Sequence, residues 1–329
     1  MTNIILFSLG ILRKLSSIRP AIGKFCVGAV ALCSNAGVFA AEPSPPIIFI
    51  GTAFPDRLAE LKDRSAWSTV APRVGLFLHP LNLAKGSEPI FKEIAPLFGL
   101  RRAILERNRL PTEEDVITRL KSMRETYHFQ DGLYFYFNGI TSSSTLKALN
   151  ESGVETPPSP EWFARAKTVA AQGGIPLFGP APHVLYRAPG GWTNVHWDYL
   201  RDLSVFRGYC FDAPAEFYVR TGINEKQQAA NELYRRSIVD SIQYARSHGG
   251  LSIYLFGSHL DAAQNIANAR EVVRDLKKRN ALPSAWGIED YSKNSQLHMV
   301  PERNPDGSPA NTVTGLALWI MEFYAGRAQ

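Results

Sequence analysis

The chain has 329 residues with a formal charge of +6 and a 45% hydrophobic share, enough apolar material for one large core. Four of its cations, Arg13, Lys14, Arg19 and Lys24, lie in an acid-free first forty residues, and removing them from the +6 leaves +2. No basic run remains that could follow a phosphate backbone, which argues against a nucleic-acid partner.

The cations are followed by the apolar run Phe25 to Leu32 and then by Val38-Phe39-Ala40, small enough at the right spacing for cleavage before Ala41. Residues 1–40 therefore read as a signal peptide. The alternative is a retained anchor using Ile4 to Leu12, although neither apolar stretch approaches the ~20 residues that span a bilayer. Residues 41–46 form a proline-rich extended start, and residues 47–329 read as one domain, secreted or periplasmic. Cys26 and Cys33 leave with the signal, so the mature chain keeps only Cys210 and has no internal disulfide.

Within that domain, short apolar runs alternate with helical patterns. Ile47 to Ala53 is the first strand, and Pro55 opens an amphipathic helix carrying Leu58, Leu61 and Trp67 toward Val70. Arg73 to His79 is the second strand, followed by a proline-broken helix over Glu88 to Leu97. Arg102 to Asn108 is the third, and Pro111-Thr112-Glu113-Glu114 starts a helix that runs to about His128. Gly132 to Asn138 and Ile175 to Phe178 are the fourth and fifth strands, with a helix over Pro160 to Gln172 between them. After a loop rich in proline and glycine and a helical turn within Trp192 to Leu200, Ser204 to Asp212 is the sixth. The longest helical pattern, Asn224 to Ser247, places Leu233, Ile238, Ile242 and Ala245 on one side and ends at His248-Gly249-Gly250. Leu251 to Phe256 and Ala285 to Asp290 are the seventh and eighth strands, with helices over Asp261 to Arg279 and Thr312 to Tyr324.

Eight such runs predict an α/β protein, a single (β/α)8 TIM-type barrel. A doubly wound open sheet is the alternative, but Gly51-Thr52-Ala53-Phe54 lacks the G-x-G-x-x-G phosphate loop. Side chains alternate along a strand, so the bulky apolar set faces the helices and its alternates face the axis. With Val74, Leu76 and Leu78 outward, Gly75, Phe77 and His79 turn inward; with Ala103 and Leu105 outward, Ile104, Glu106 and Asn108 do. The same logic turns Tyr134, Tyr136 and Asn138 inward, then Gly208, Cys210 and Asp212, and finally Gly287 and Glu289. His79, Glu106, Asn138, Asp212 and Glu289 thus gather near the C-terminal strand ends, where such folds carry their chemistry.

Carboxylates on one rim suit hydrolysis of a glycosidic bond, one acid protonating the leaving oxygen and the other serving as nucleophile or general base. Glu289 reads as the donor, Asp212 as nucleophile or base, and Glu106 as a third catalytic carboxylate; Glu216, four residues past Asp212, and Asp290, beside Glu289, are alternates. His79, Asn138, Tyr136, Glu216, His259, Asp290, Trp192 and Trp197 read as substrate-binding, since sugar faces stack on aromatic rings. Tyr199, Tyr218 and Tyr291 also fall in expected rim loops, whereas Trp67, Trp162 and Trp319 lie on helical patterns and read as core.

On the eight-run pattern, and on LERN, CFDAPAEF and GIEDY at strand ends, the chain resembles the superfamily of (β/α)8 glycoside hydrolases. The resemblance implies an exported hydrolase acting on a poly- or oligosaccharide, with no cofactor. The commonest members place glutamates after strands four and seven, where this chain has Phe137-Asn138-Gly139 and Phe256-Gly257-Ser258-His259, so no specific family follows. Two readings compete: a metal-dependent hydrolase or isomerase using His79, Glu106, His259 and Glu289, against which no H-x-H or H-E-x-x-H pair occurs, and a noncatalytic carbohydrate-binding domain. No G-x-S-x-G elbow is present, and Cys210 sits in an apolar strand where a thiol is inert.

Overall fold

The computed structural model describes residues 46–78, 88–107, 124–125, 129, 134–137, 164, 168, 177–180, 207–222, 224–257, 260–290 and 297–328. The chain separates into two compact units, Met1–Glu42 and Pro43–Gln329, and every described residue belongs to the second. The expected signal peptide and the extended 41–46 start, Pro46 excepted, lie outside the described residues.

Eight strands form one all-parallel sheet: β1 (Ile47–Thr52), β2 (Val74–Leu78), β3 (Ala103–Arg107), β4 (Tyr134–Phe137), β5 (Leu177–Pro180), β6 (Gly208–Asp212), β7 (Leu251–Phe256) and β8 (Ala285–Asp290). Each pairs with its successor, and β8 also pairs with β1, Gly51 opposite Glu289 and Thr52 opposite Asp290. Every strand falls on one of the eight apolar runs.

The expectation of a single TIM-type (β/α)8 barrel is corrected. The described residues give an α/β molecule with a curled parallel sheet, but not a repeat of one helix per strand. After β1, helix α1 (Pro55–Ala59) lasts five residues and gives way to 3-10 turns at Glu60–Lys62 and Arg64–Trp67. The break is local: Asp63 leaves helical geometry and accepts a hydrogen bond from the Ser65 amide, while the Trp67 indole donates to the Leu61 carbonyl and is buried. Helix α2 (Glu88–Ile94) is also short, closed by a 3-10 turn over Ala95–Leu97.

Strand β6 is followed by two helices, the unforeseen α3 (Ala215–Val219) and α4 (Glu225–Ser247). Asn224 caps α4 by accepting from the Gln227 amide, and Gly249, at φ 71°, ends it in the left-handed region that favours glycine. The buried side of α4 carries Tyr234, Ile238, Ile242 and Ala245; Leu233, expected there, is 47% exposed. Asp261 caps α5 (Ala262–Lys278) through the Gln264 amide, and Thr312 caps α6 (Val313–Tyr324) through the Gly315 amide. The expected helices over 111–128 and 160–172, and the turn within 192–200, fall almost wholly outside the described residues.

The strand side chains divide as the alternation requires. Ile48, Val74, Leu76, Ala103, Tyr209, Phe211, Tyr254, Trp286 and Ile288 pack with the helices in one core. A second core without helix residues, Phe49, Phe77, Ile104, Phe178, Cys210, Ile253, Leu255 and Ala285, fills the concave side of the sheet. That inner layer leaves an apolar floor beneath the C-terminal strand ends.

Candidate active site at the C-terminal strand ends

Glu289 is the penultimate residue of β8, and Asp212 is the last of β6. Two residues before each, Gly287 and Cys210 lie on the concave side, Cys210 within its core, so both carboxylates fall on that side by alternation. Glu289 is 3% exposed and Asp212 is half-buried. The ladder sets their relative height: Asp212 pairs with Leu255 and Leu255 with Gly287, which puts Glu289 two residues above the row of Asp212. In a curled parallel sheet the strands tilt and stagger by about one residue per strand, which brings these two strand ends, two strands apart, to one level.

Glycine makes room next to Glu289. Gly51 is its partner on β1, and a Cβ there would lie 2.3 Å from the Phe77 carbonyl oxygen and 2.9 Å from the Phe77 Cβ. Only a residue without a side chain lets β1 and β2 come this close at the floor of the site.

Asp290 faces the other way. Its carboxylate is buried, ion-paired with the Arg57 guanidinium of α1 and reached by the Thr52 hydroxyl at 3.4 Å. Arg57 lies over the Phe54 ring at 4.8 Å and stands 3.5 Å from the Leu297 carbonyl. Asp290, read from sequence as a substrate-binding residue and as an alternate to Glu289, is therefore turned away from the concave side and paired with a cation. Arg57 was the partner sequence reasoning missed; an arginine one turn beyond β1 carries no mark of which carboxylate it meets.

Glu216 lies in the first turn of α3, half-buried. Burial pushes the Tyr254 phenol well above its ordinary range, and Tyr234, Tyr218, Glu216 and Asp212 add smaller contributions in the same direction. Tyr218, expected at an open rim, is 1% exposed and donates to Asp275 at 2.7 Å. Burial and then the Asp275 bond raise its phenol.

Glu106 and Tyr136 occupy paired positions on β3 and β4, and Phe178 on β5 pairs with Tyr136. The Glu106 and Tyr136 side chains, and His79, Asn138, Trp192, Trp197, Tyr199, His259 and Tyr291 altogether, lie outside the described residues. Of the tryptophans read as core, Trp67 and Trp319 are buried and Trp162 lies outside. Among the described residues no cluster of three metal-ligating side chains occurs, and no helix is long and apolar enough to cross a membrane.

No protein-family model and no curated protein matches the chain. Among solved structures, an isomerase from Streptomyces coelicolor A3(2) is similar at 13% identity and a TM-score of 0.39, over 86% of this chain and 67% of its own. A GH138 enzyme targeting pectin rhamnogalacturonan II is similar at 10% identity and a TM-score of 0.41, over 85% of this chain and 39% of its own. The arginine decarboxylase of Paramecium bursaria Chlorella virus gives 13% identity and a TM-score of 0.28, over 77% of this chain and 65% of its own. This chain thus spans well under half the length of the GH138 enzyme. At these scores the likenesses assign neither activity nor substrate.

Proposed function

We propose that the protein is an exported glycoside hydrolase that cleaves a poly- or oligosaccharide by carboxylate acid/base catalysis. The observation that carries the reading is Glu289, a buried carboxylate on the concave side of a strand end, two strands from Asp212 and above an apolar floor. Its burial shields Glu289 from bulk water, which suits a proton donor, while the more open Asp212 suits a nucleophile or general base. Glu106, on β3, is assigned as a third catalytic carboxylate. Export rests on the acid-free cationic start and Val38-Phe39-Ala40, and predicts a mature N-terminus at Ala41.

The test is release of new reducing ends from a panel of polysaccharides by the purified mature protein. Turnover on at least one glycan is the expected result, and inactivity across neutral and acidic glycans overturns the reading. The stereochemistry of the product then reports the working distance, retention for carboxyls about 5 Å apart and inversion for roughly 6.5 to 9.5 Å.

A further inference from the structure

The end of β8 carries two carboxylates on opposite faces, and the structure accounts for the outer one in detail. The Asp290 backbone is held by pairing with Thr52 and by the Ala53 amide, which donates to the Asp290 carbonyl at 2.7 Å. Its side chain is held by Arg57, with the Thr52 hydroxyl beside it. Arg57 is itself fixed by the Phe54 ring and reaches toward the Leu297 carbonyl, so one guanidinium joins α1, the end of β8 and the chain that returns from it.

We infer that Arg57 and Asp290 are positioning residues that set the aim and electrostatic surroundings of Glu289, an inference that rests on reading Glu289 as the acid of the site. Consecutive strand residues share one backbone, so clamping the outer carboxylate fixes the rotation of the strand end and with it the inner one. The clamp also balances a charge: in the absence of Arg57 the buried Asp290 carboxylate, one residue from Glu289, loses that cation and raises the proton affinity of its neighbour.

Carbodiimide labelling of Glu289, read by peptide mass spectrometry across pH, reports the carboxyl whether or not a substrate is known. In Arg57→Met, the Glu289 labelling rate at a fixed pH changes by roughly tenfold, the scale of coupling within one charge network, while labelling of the exposed Glu225 of α4 stays unchanged. Arg57→Lys restores the wild-type rate to within about twofold. On a working substrate Arg57→Met lowers kcat far more than it changes KM, because misplacement rather than lost binding is the cause. A folded Arg57→Met whose Glu289 labelling matches the wild type overturns the inference; if that variant does not fold, Asp290→Asn, which keeps the shape of the side chain, gives the same decision. A labelling change in a protein that hydrolyses no glycan leaves the positioning in place and removes the glycosidase reading instead.

Discussion

At the scale of single residues, several buried polar groups hold the frame around the site. Glu302 is buried, and its carboxylate accepts from the Thr69 amide at 3.1 Å and the Val70 amide at 2.9 Å, tying the segment after β8 to the turn before β2. Glu302→Ala leaves the Thr69 and Val70 amides without that acceptor and should cost about 1–3 kcal/mol in urea denaturation. Glu106→Gln is a different case. A group that serves catalysis should lose activity on this isosteric change while the melting temperature moves by only a few degrees, and a large loss of stability with activity intact would assign Glu106 to the fold. The sides of Glu289 and Asp212 were legible from alternation alone, because Trp286, Ile288, Tyr209 and Phe211 are bulky enough to mark the helix-facing side. The same alternation already set Asp290 opposite Glu289; what it left open was the partner, since Arg57 is more than two hundred positions away. Tyr218 was misplaced because a tyrosine near a strand end reads equally as a rim aromatic and as a buried ring with a polar tip.

Among the elements, the strands were the most legible and the helices after β1 the least. Eight apolar runs gave the eight strands to within a few residues, whereas the pattern over 55–70 looked helical but divides at Asp63, whose side chain competes for a backbone amide. The long α4 was legible in its caps and length but not in its rotation, which leaves Leu233 outside. Close element contacts predict two further outcomes. Gly51→Ala drives a methyl group against Phe77 backbone where β1 meets β2, and should destabilise by about 1–3 kcal/mol. On the outer face α3, α4 and α5 share a network in which Asp275 accepts from Tyr218 at 2.7 Å and from Arg279 at 2.8 Å, and Glu232 pairs with Arg279 and Arg235. Asp275→Ala and Arg279→Ala should therefore be non-additive, the double variant being more stable than the sum predicts by about 0.5–2 kcal/mol in a double-mutant cycle.

For the molecule as a whole, the buried phenols set how stability depends on alkaline pH. Burial, opposed by the Trp286 indole, pushes Tyr324 up to about 12, and burial raises Tyr218 and Tyr254 as well. Between the ordinary tyrosine range near 10 and these higher values the folded chain holds protons the unfolded chain has lost, so stability falls as pH rises. Urea midpoints should hold up to about pH 10 and drop above it. At the acid end Glu232 is lowered chiefly by its bond with Arg279, and Asp63 and Asp306 by bonds from Ser65 and Ser308. Those contributions are present above the ordinary carboxylate range and lost as pH falls through the depressed values. Glu289 is the proposed proton donor for glycosidic cleavage. The most direct measurement compares kcat of Glu289→Gln with the wild type on the glycan that turns over, at matched melting temperature. A loss of about 10² to 10⁴-fold is the expected result, and a folded Glu289→Gln that retains wild-type turnover would contradict it.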